Sequence, residues 1–440
     1  MFLEVSKTSW LEGKVAAPPS KSYTHRALLI ASLAEGKSKI YKPLKSKDTL
    51  ATKNFCEAIG AKIIEKNNCY EIYGTSGRIS PLAERIDVMN SGTTLRLITS
   101  LLSLSKKEVL VDGDDSIRKR PMKPLLEVLK KHSSIKYLRE SFRVPFKIKQ
   151  KDRWQEMERV KVDASISSQF LSSLLILAPL IGLEIEILGE MKSKPYVDIT
   201  LEMLEVAGIK FEVNGNLFII EKQSYKPFSF TVPGDFSSAA NILCPAAMIP
   251  SRVEVENLSL DTKQGDKIVV KILEDMGAKI RIKENSIAIE GSKLNAITLN
   301  AANIPDLVPV LVSVACYAKG TSIFTGVEHL RYKECDRLKA CEEFKKLGAN
   351  LRIGKDFIEV KGKEKLKGSK LKAFKDHRMV MALASAALNA EGTSLIDSAE
   401  MLEISFPDYL AKMKKLGANM SIKLGKSADF KINEFSLLTE

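Results

Sequence analysis

Five times along the chain a helical pattern ends in a hydrophobic residue and a glycine and passes at once into a β-rich run: EAIGAKII, LEVAGIKF, LEDMGAKI, FKKLGANL and MKKLGANM. The glycines are Gly60, Gly208, Gly277, Gly348 and Gly417, and KKHSSIKY supplies a degenerate sixth member with His132 in the glycine position. The six landmarks lie 72, 76, 69, 71 and 69 residues apart, a period that defines a repeated supersecondary unit. Glycine in that place predicts a helix C-cap in the left-handed conformation followed directly by a strand. A second series falls between the first. Apolar helices end near Gly36, Ser105, Gly182, Ser251, Gly320 and Gly392, and β-rich runs follow, such as LEIEI and RVEVE. Each unit of about 70 residues therefore holds two helices alternating with strands, and six such units form two domains of three more readily than one solenoid. The natural cut lies near residue 235.

The chain of 440 residues is 45% hydrophobic and 28% charged, so it has material for two cores and is too apolar to be disordered. Its start has no apolar signal segment, and its longest apolar stretch, Phe170 to Leu183, is broken by Ser172, Ser173, Pro179 and Gly182, which predicts neither secretion nor membrane spanning. The six cysteines form no C-x-x-C pair and read as reduced thiols, mostly buried. A net charge of +14 favours anionic partners of some kind. Nucleic acid is disfavoured among them, because aromatic residues make up only 7% and do not interleave with the basic ones. The lysine-rich run from Lys361 to Lys375 reads as solvated surface.

The first helix of each unit opens with polar residues ahead of its apolar run, as in PSKSYTHRALLIASL, NSGTTLRLITSLL and KDHRMVMALAS. Ser, Asp and Asn there serve as N-caps. Cations are different. Lys21, Arg26, Arg96 and Arg378 sit in or near first turns, where they oppose the helix dipole, and a bound phosphate or carboxylate would remove the conflict. Twelve residues before the landmarks stand Asp48, Arg120, Tyr196, Gly265, Asp336 and Ser405, read as equivalent second-helix starts. Around them lie Arg118, Lys119, Lys194, Lys333 and Arg337, so repeat symmetry predicts basic groups from several units facing one cleft. Glu334, Asp306, Asp235 and Asp376 are the carboxylates among them. Such a site suits phosphorylated acids undergoing proton transfer, and no metal-ligand cluster, Walker A sequence or G-x-G-x-x-G stretch competes.

From about residue 18 to 409 the ordered stretches PSKSYTHRAL, NSGTTLR, RKRPM, SSQF, SKPYVDIT, PGDFSSAA, IPD, RYKECDRL, KDHRM and SFPDY resemble the motif series of the EPSP synthases. The resemblance implies an inside-out α/β barrel fold of two domains, each of three βαβαββ repeats, with the active site in the cleft between them. It assigns residues 1–19 with 235–440 to one domain and 20–234 to the other. The implied activity is transfer of the enolpyruvyl group of phosphoenolpyruvate to the 5-hydroxyl of shikimate 3-phosphate, without cofactor or metal, by a cytoplasmic monomer of the shikimate pathway that is the target of glyphosate.

Residue by residue, the resemblance gives shikimate 3-phosphate to Lys21, Ser22, Arg26, Ser167, Ser168, Gln169, Ser193, Tyr196, Asp306 and Lys333. Phosphoenolpyruvate falls to Lys21, Asn90, Gly92, Arg120, Gln169, Arg337 and Arg378. It makes Asp306 the base at the hydroxyl, with Glu334 and Lys21 exchanging protons at the methylene and phosphate ends and His377 as a lesser proton carrier. Domain closure over the first substrate is expected to assemble the cations and exclude water, and small-angle scattering would register the compaction. Two positions depart from the family pattern. Ile404 stands where many members carry a lysine that reaches the phosphate of phosphoenolpyruvate, and His329 where many carry asparagine. The sister transferase acting on UDP-N-acetylglucosamine begins its motif Lys-Asn and uses a loop cysteine, whereas this chain reads Lys21-Ser22 and has no cysteine between Cys69 and Cys244.

Overall fold

The computed structural model describes residues 1–424 and contains six four-stranded sheets of one plan. In the unit that starts with strand Glu158–Asp163, that strand pairs in parallel with Leu183–Leu188, which pairs antiparallel with Leu217–Ile220, which in turn pairs with Glu212–Asn214. The register aligns Val160 with Ile185 and Ile185 with Phe218. The parallel step requires a crossover, and the helix Gln169–Ile181 supplies it.

The same plan recurs in the other sheets, three of which take one strand from a distant part of the chain. The first strand of the first unit is Ser229–Thr231, which pairs with Lys37–Tyr41, and the first strand of the fourth is Leu11–Ala16, which pairs with Ser251–Glu256. The strand Phe2–Ser6 completes the last sheet between Thr393–Asp397 and Met420–Lys423. Two crossing segments thus run side by side, bridged at Pro19 and Gly234 and by the Ser20 N–H donating to Pro233 O at 2.7 Å.

Burial separates the two faces of each unit. In the helix Lys21–Leu33 every residue from Tyr23 onward is buried, and so is all of Val308–Ala315 and His377–Ala387. The strands instead alternate, as in Leu183–Leu188, so one sheet face is solvated. Helices apolar all round lie inside and half-wet sheets lie outside. The interior splits into two clusters of buried side chains. One is built from Tyr23 to Val232, the other from Leu3 to Ala17 together with Phe236 to Met420. A serine pair ties the first-series helices within each cluster: Ser173 Oγ to Ser100 Oγ at 2.8 Å in one, Ser313 Oγ to Ser385 Oγ at 3.0 Å in the other.

All five landmark glycines have positive φ, between 77° and 103°, as the caps require. His132 does not share that conformation; its ring packs against Trp154 at 4.2 Å and lies 2.8 Å from Glu158, so the second unit closes its helix by side-chain packing instead. Of the twelve-residue positions, Asp48, Tyr196, Gly265 and Asp336 do stand at helix starts, but Arg120 lies between Asp115–Arg118 and Lys123–Leu129, and Ser405 follows Ala399–Ile404. Five of the six cysteines are buried, Cys335 is half-buried, and all are free thiols. Among the described residues no helix is long and apolar enough to cross a membrane.

Candidate active site

The N-termini of the buried helices meet between the two cores, so the polar residues that start them face one another. Ser20 caps Lys21–Leu33 by accepting from the Tyr23 N–H, Ser91 caps Gly92–Leu102, Asp235 caps Phe236–Met248 and Asp376 caps His377–Ala387. Asp235 also reaches across, its Oδ2 accepting from the Lys21 N–H at 3.0 Å. Further bonds cross the cleft: Tyr196 Oη donates to Asp306 Oδ2 at 3.3 Å, the Ser193 N–H to Ala302 O at 3.1 Å and Ser116 Oγ to Glu334 O at 3.1 Å.

At the centre is Arg337, fully buried and gripped by three carboxylates. Its Nε donates to Asp376 Oδ2 at 2.7 Å, Nη1 to Asp306 Oδ1 at 2.8 Å and Nη2 to Glu334 Oε2 at 2.6 Å. Glu334 bridges to Arg120, whose Nη2 lies 3.1 Å from Oε1, near enough for charge pairing but off the line of a hydrogen bond. Arg378 Nη1 donates to Ser237 O at 3.0 Å, and its Nη2 is 3.5 Å from Asp306 Oδ2. Lys21 Nζ pairs with Asp48 at 2.7 Å.

These contacts set the protonation states. Burial pushes the Asp306 carboxyl up, but Arg378, Arg337, Lys333 and Lys21 outweigh it and hold Asp306 well below the usual carboxylate range. Glu334 is likewise held low, burial being outweighed by Arg337 and Arg120. Both are ionised at neutral pH. Burial lowers His377 to about 3, with Lys21 and Arg378 adding to it, so the ring is neutral, and neither nitrogen has a partner among the described residues. Burial also lowers Lys333 to about 8, against the pull of Asp306.

Several cationic donors remain unspent. Among the described residues Arg96 Nε and Nη2, Arg120 Nε and Arg378 Nε are buried without hydrogen-bond partners, and Lys333 makes no ion pair. Arg96 lies over the Phe170 ring at 5.2 Å, and its Nη1 donates to Gln169 Oε1 at 2.9 Å and Ser167 Oγ at 3.3 Å. Buried unpaired N–H groups are rare because each forfeits its solvation, so their clustering marks an anion-binding surface.

The remaining predicted residues fall around this centre. Arg26 is buried against Ser22 O, Tyr196 O and Thr200 Oγ1, with no carboxylate partner among the described residues. Gln169 also donates to Thr93 Oγ1, and Ser168 is buried at the start of Gln169–Ile181. Ser193 holds a left-handed conformation at the start of Lys194–Val206. Gly92 packs directly under Arg120, and Asn90 donates to Asp114. By contrast, Arg118 is engaged by Asp112 and Asp115, Lys194 by Asp198, and Lys119 is exposed; the geometry gives these three no place among the central charges.

Ile404 is buried and lines a cavity of about 390 Å³ with Asn90, Asp48 and Lys47. Among the described residues Lys47 is the only cation on that lining and pairs with Glu403 at 2.5 Å, whereas Lys412 turns to Asp408 at 2.7 Å. His329 is buried and, lowered to about 3 by burial and Lys333, neutral. Two groups near the centre escaped the sequence reading. Asp48 appeared there only as a helix start, since nothing local shows that it pairs with Lys21. Asp266, buried near Ser237, carries no local signal at all.

Fold and cleft together define an α/β protein of six repeated units with arginines, lysines and carboxylates gathered between two cores. A sequence model of EPSP synthase (3-phosphoshikimate 1-carboxyvinyltransferase) matches residues 5–413. The 3-phosphoshikimate 1-carboxyvinyltransferase of Methanocaldococcus jannaschii is 43% identical over 96% of this chain and 100% of its own length, and that of Methanosarcina mazei 42% over 96% and 99%. Among solved structures, EPSP synthase from Acinetobacter baumannii superposes with a TM-score of 0.79 at 26% identity, covering 96% of this chain and 99% of that one. The enolpyruvyl transferase NikO from Streptomyces tendae, at 16% identity and a TM-score of 0.77, shares the fold. The chain belongs to the EPSP synthase family.

Proposed function

We propose that the cleft between the two cores is where this enzyme carries out its family's reaction, with the unspent buried donors of Arg96, Arg120 and Arg378 as the observation that supports it most directly. The chain is a 3-phosphoshikimate 1-carboxyvinyltransferase, which joins the enolpyruvyl group of phosphoenolpyruvate to the 5-hydroxyl of shikimate 3-phosphate and releases phosphate. In this reading residues 1–19 with 235–440 and residues 20–234 are the two domains; positions 425–440 lie outside the described residues. The enzyme works as a cytoplasmic monomer.

Shikimate 3-phosphate is held by Ser22, Arg26, Ser167, Ser168, Gln169, Ser193, Tyr196 and Lys333. Phosphoenolpyruvate lies against Asn90, Gly92, Arg120, Arg337 and Arg378, with Lys21 between the two. Asp306, ionised and fixed by Arg337 and Tyr196, takes the 5-hydroxyl proton as oxygen attacks C2. C3 is protonated in the same step. Glu334 then takes a proton back from C3 as the C2–O bond to phosphate breaks, Lys21 protonates the departing phosphate oxygen, and Asp306 passes the hydroxyl proton to Lys21.

Glu334 gains its role from competition. In the ligand-free site Arg120 and Arg337 keep it ionised, but a phosphate or carboxylate bound to the same guanidinium groups draws positive charge away from it. Its proton affinity rises as phosphoenolpyruvate binds, so the carboxyl is poised to give a proton to C3 and to take one back. Preorganised cations supply most of the rate, since the charge they neutralise is already in place.

The test is phosphate release from phosphoenolpyruvate with and without shikimate 3-phosphate, alongside Glu334→Gln. Release that requires both substrates and falls at least about tenfold in the variant, about 1.4 kcal/mol in the barrier, supports the assignment. Undiminished release by Glu334→Gln removes Glu334 from the proton path.

A further inference from the structure

Asp266 is a buried carboxyl that the reaction as described leaves without work. It belongs to the short helix Gly265–Ile268, and its position is imposed by close packing: a Cβ on Gly265 would lie 2.6 Å from Pro195 Cγ, so the backbone there rests directly on the start of the helix that carries Tyr196. One oxygen, Oδ2, accepts from Ser237 Oγ at 2.5 Å. The other, Oδ1, is buried and has no partner among the described residues. Asp266, Ser237, Asp235, Ser22 and Tyr196 line one small cavity of about 10 Å³, room for a single water molecule.

An ionised Asp266 fits this place poorly. The negative charges of Asp235 and Asp306 act on it, and Arg378, the cation that opposes them, spends its Nη1 on Ser237 O and leans its Nη2 toward Asp306. Lys267, on the same short helix, is turned away to Leu260 O and Thr262 O. A proton on Oδ1 resolves both faults, because it removes the charge and turns an orphaned acceptor into a donor.

Donor directions then run one way. Ser237 donates to Asp266 Oδ2, Asp266 and Tyr196 both line the cavity, and Tyr196 Oη donates to Asp306 Oδ2. The tyrosine hydroxyl has one hydrogen and two carboxyls to serve. We propose that Asp266 in its neutral form is a positioning residue for the transfer reaction: through a water in the cavity it donates to the Tyr196 oxygen and thereby commits the Tyr196 hydrogen to Asp306, orienting the base that receives the substrate hydroxyl proton. Loss of the Asp266 proton makes it a competing acceptor, pulls the Tyr196 hydrogen away and releases Asp306. Burial, with Asp306 and Asp235 adding to it, raises Asp266 to about 7, so this changeover falls in the neutral range. The inference rests on Asp306 acting as the base.

Two measurements separate the inference from that reading. Infrared difference spectroscopy of the ligand-free protein is expected to show a carboxylic-acid C=O band that disappears as pH rises through about 7 and is missing from Asp266→Asn. Absence of that band from the parent protein overturns the proposal whether or not the enzyme is active. In kinetics, kcat of the parent is expected to fall about tenfold across an alkaline limb near pH 7. Asp266→Asn, neutral at every pH and able to accept from Ser237, is expected to lack the limb. Should that variant not fold, Tyr196→Phe serves instead, losing the limb while keeping the infrared band. A limb unchanged in the folded variant, or a loss equal at every pH, overturns the positioning role; no phosphate release by the parent protein overturns the transferase assignment instead.

Discussion

Gly92 shows how much one hydrogen atom can decide. A Cβ there would lie 2.1 Å from Arg120 Nη1 and 2.9 Å from Cζ, so Gly92→Ala forces the guanidinium to move. The obstacle is the far end of a flexible side chain, so the fold survives and the effect lands on whatever Arg120 binds. The expected outcome is a KM for phosphoenolpyruvate raised about tenfold, about 1.4 kcal/mol, with KM for shikimate 3-phosphate within about twofold. Steady-state kinetics in each substrate check this, and equal rises in both would place Arg120 elsewhere. His377 makes a second case. Its ring is neutral far below neutral pH, so the pH–rate profile of His377→Asn is expected to keep every ionisation the parent shows between about pH 5 and 8, whatever the loss in kcat. An ionisation missing from the variant would return His377 to the proton path. Cations at helix starts call for an anion, and Lys21, Arg337 and Arg378 gather between the cores with Arg120, but the protein's own Asp48, Glu334, Asp306 and Asp376 already meet part of that need. Such pairings join residues up to 214 positions apart, and no local spacing encodes them.

The caps are the element-scale features best suited to test. Gly348 has φ of 94° and open space around its missing side chain, so Gly348→Ala isolates the cost of a left-handed backbone. About 1 kcal/mol of stability is expected to be lost, and less in Gly348→Asn, read from urea midpoints at constant m. Gly362→Ala is the contrast, since its Cβ would lie 1.8 Å from Ala318 O, and backbone cannot step aside as a side chain can. A loss there no larger than at Gly348 would contradict the packing described. The same glycines made the repeat legible, because a left-handed cap restricts residue choice strongly enough to recur. In five of the six units the first strand carries no readable signal. Arg85–Asp87, Thr298–Asn300 and Lys370–Leu371 have two or three residues each, too few to show a period, and two others are supplied from distant chain segments. The exchange of the N-terminal strand between halves entered the sequence reading only through family resemblance.

For the molecule as a whole, the buried titratable groups fix how stability responds to acid. His329 and His377 are held at about 3, and His25 is also lowered by burial, so the folded chain stays unprotonated where the unfolded chain takes up protons near pH 6.5. Stability from these histidines is present above about pH 6.5 and lost as pH falls below it. Asp266 works in the opposite sense: raised to about 7, it holds a proton in the fold that the unfolded chain releases above about 3.8, so its contribution is full below that value and fades as pH rises through 7. Between about pH 6 and 4.5 two histidines against one carboxyl leave a net slope of about 1.4 kcal/mol per pH unit, and His25 adds to it. Below about pH 4 the depressed carboxylates Asp48, Asp306 and Glu334 steepen the loss, since the unfolded chain then protonates groups that the fold keeps charged. Asp266→Asn deletes the opposing contribution. Urea unfolding of that variant at several pH values is therefore expected to show a slope steeper than the parent's by about 1.4 kcal/mol per pH unit over the same window. Identical slopes would mean that Asp266 carries no proton in the folded protein, and that the cavity beside Tyr196 is lined by a carboxylate after all.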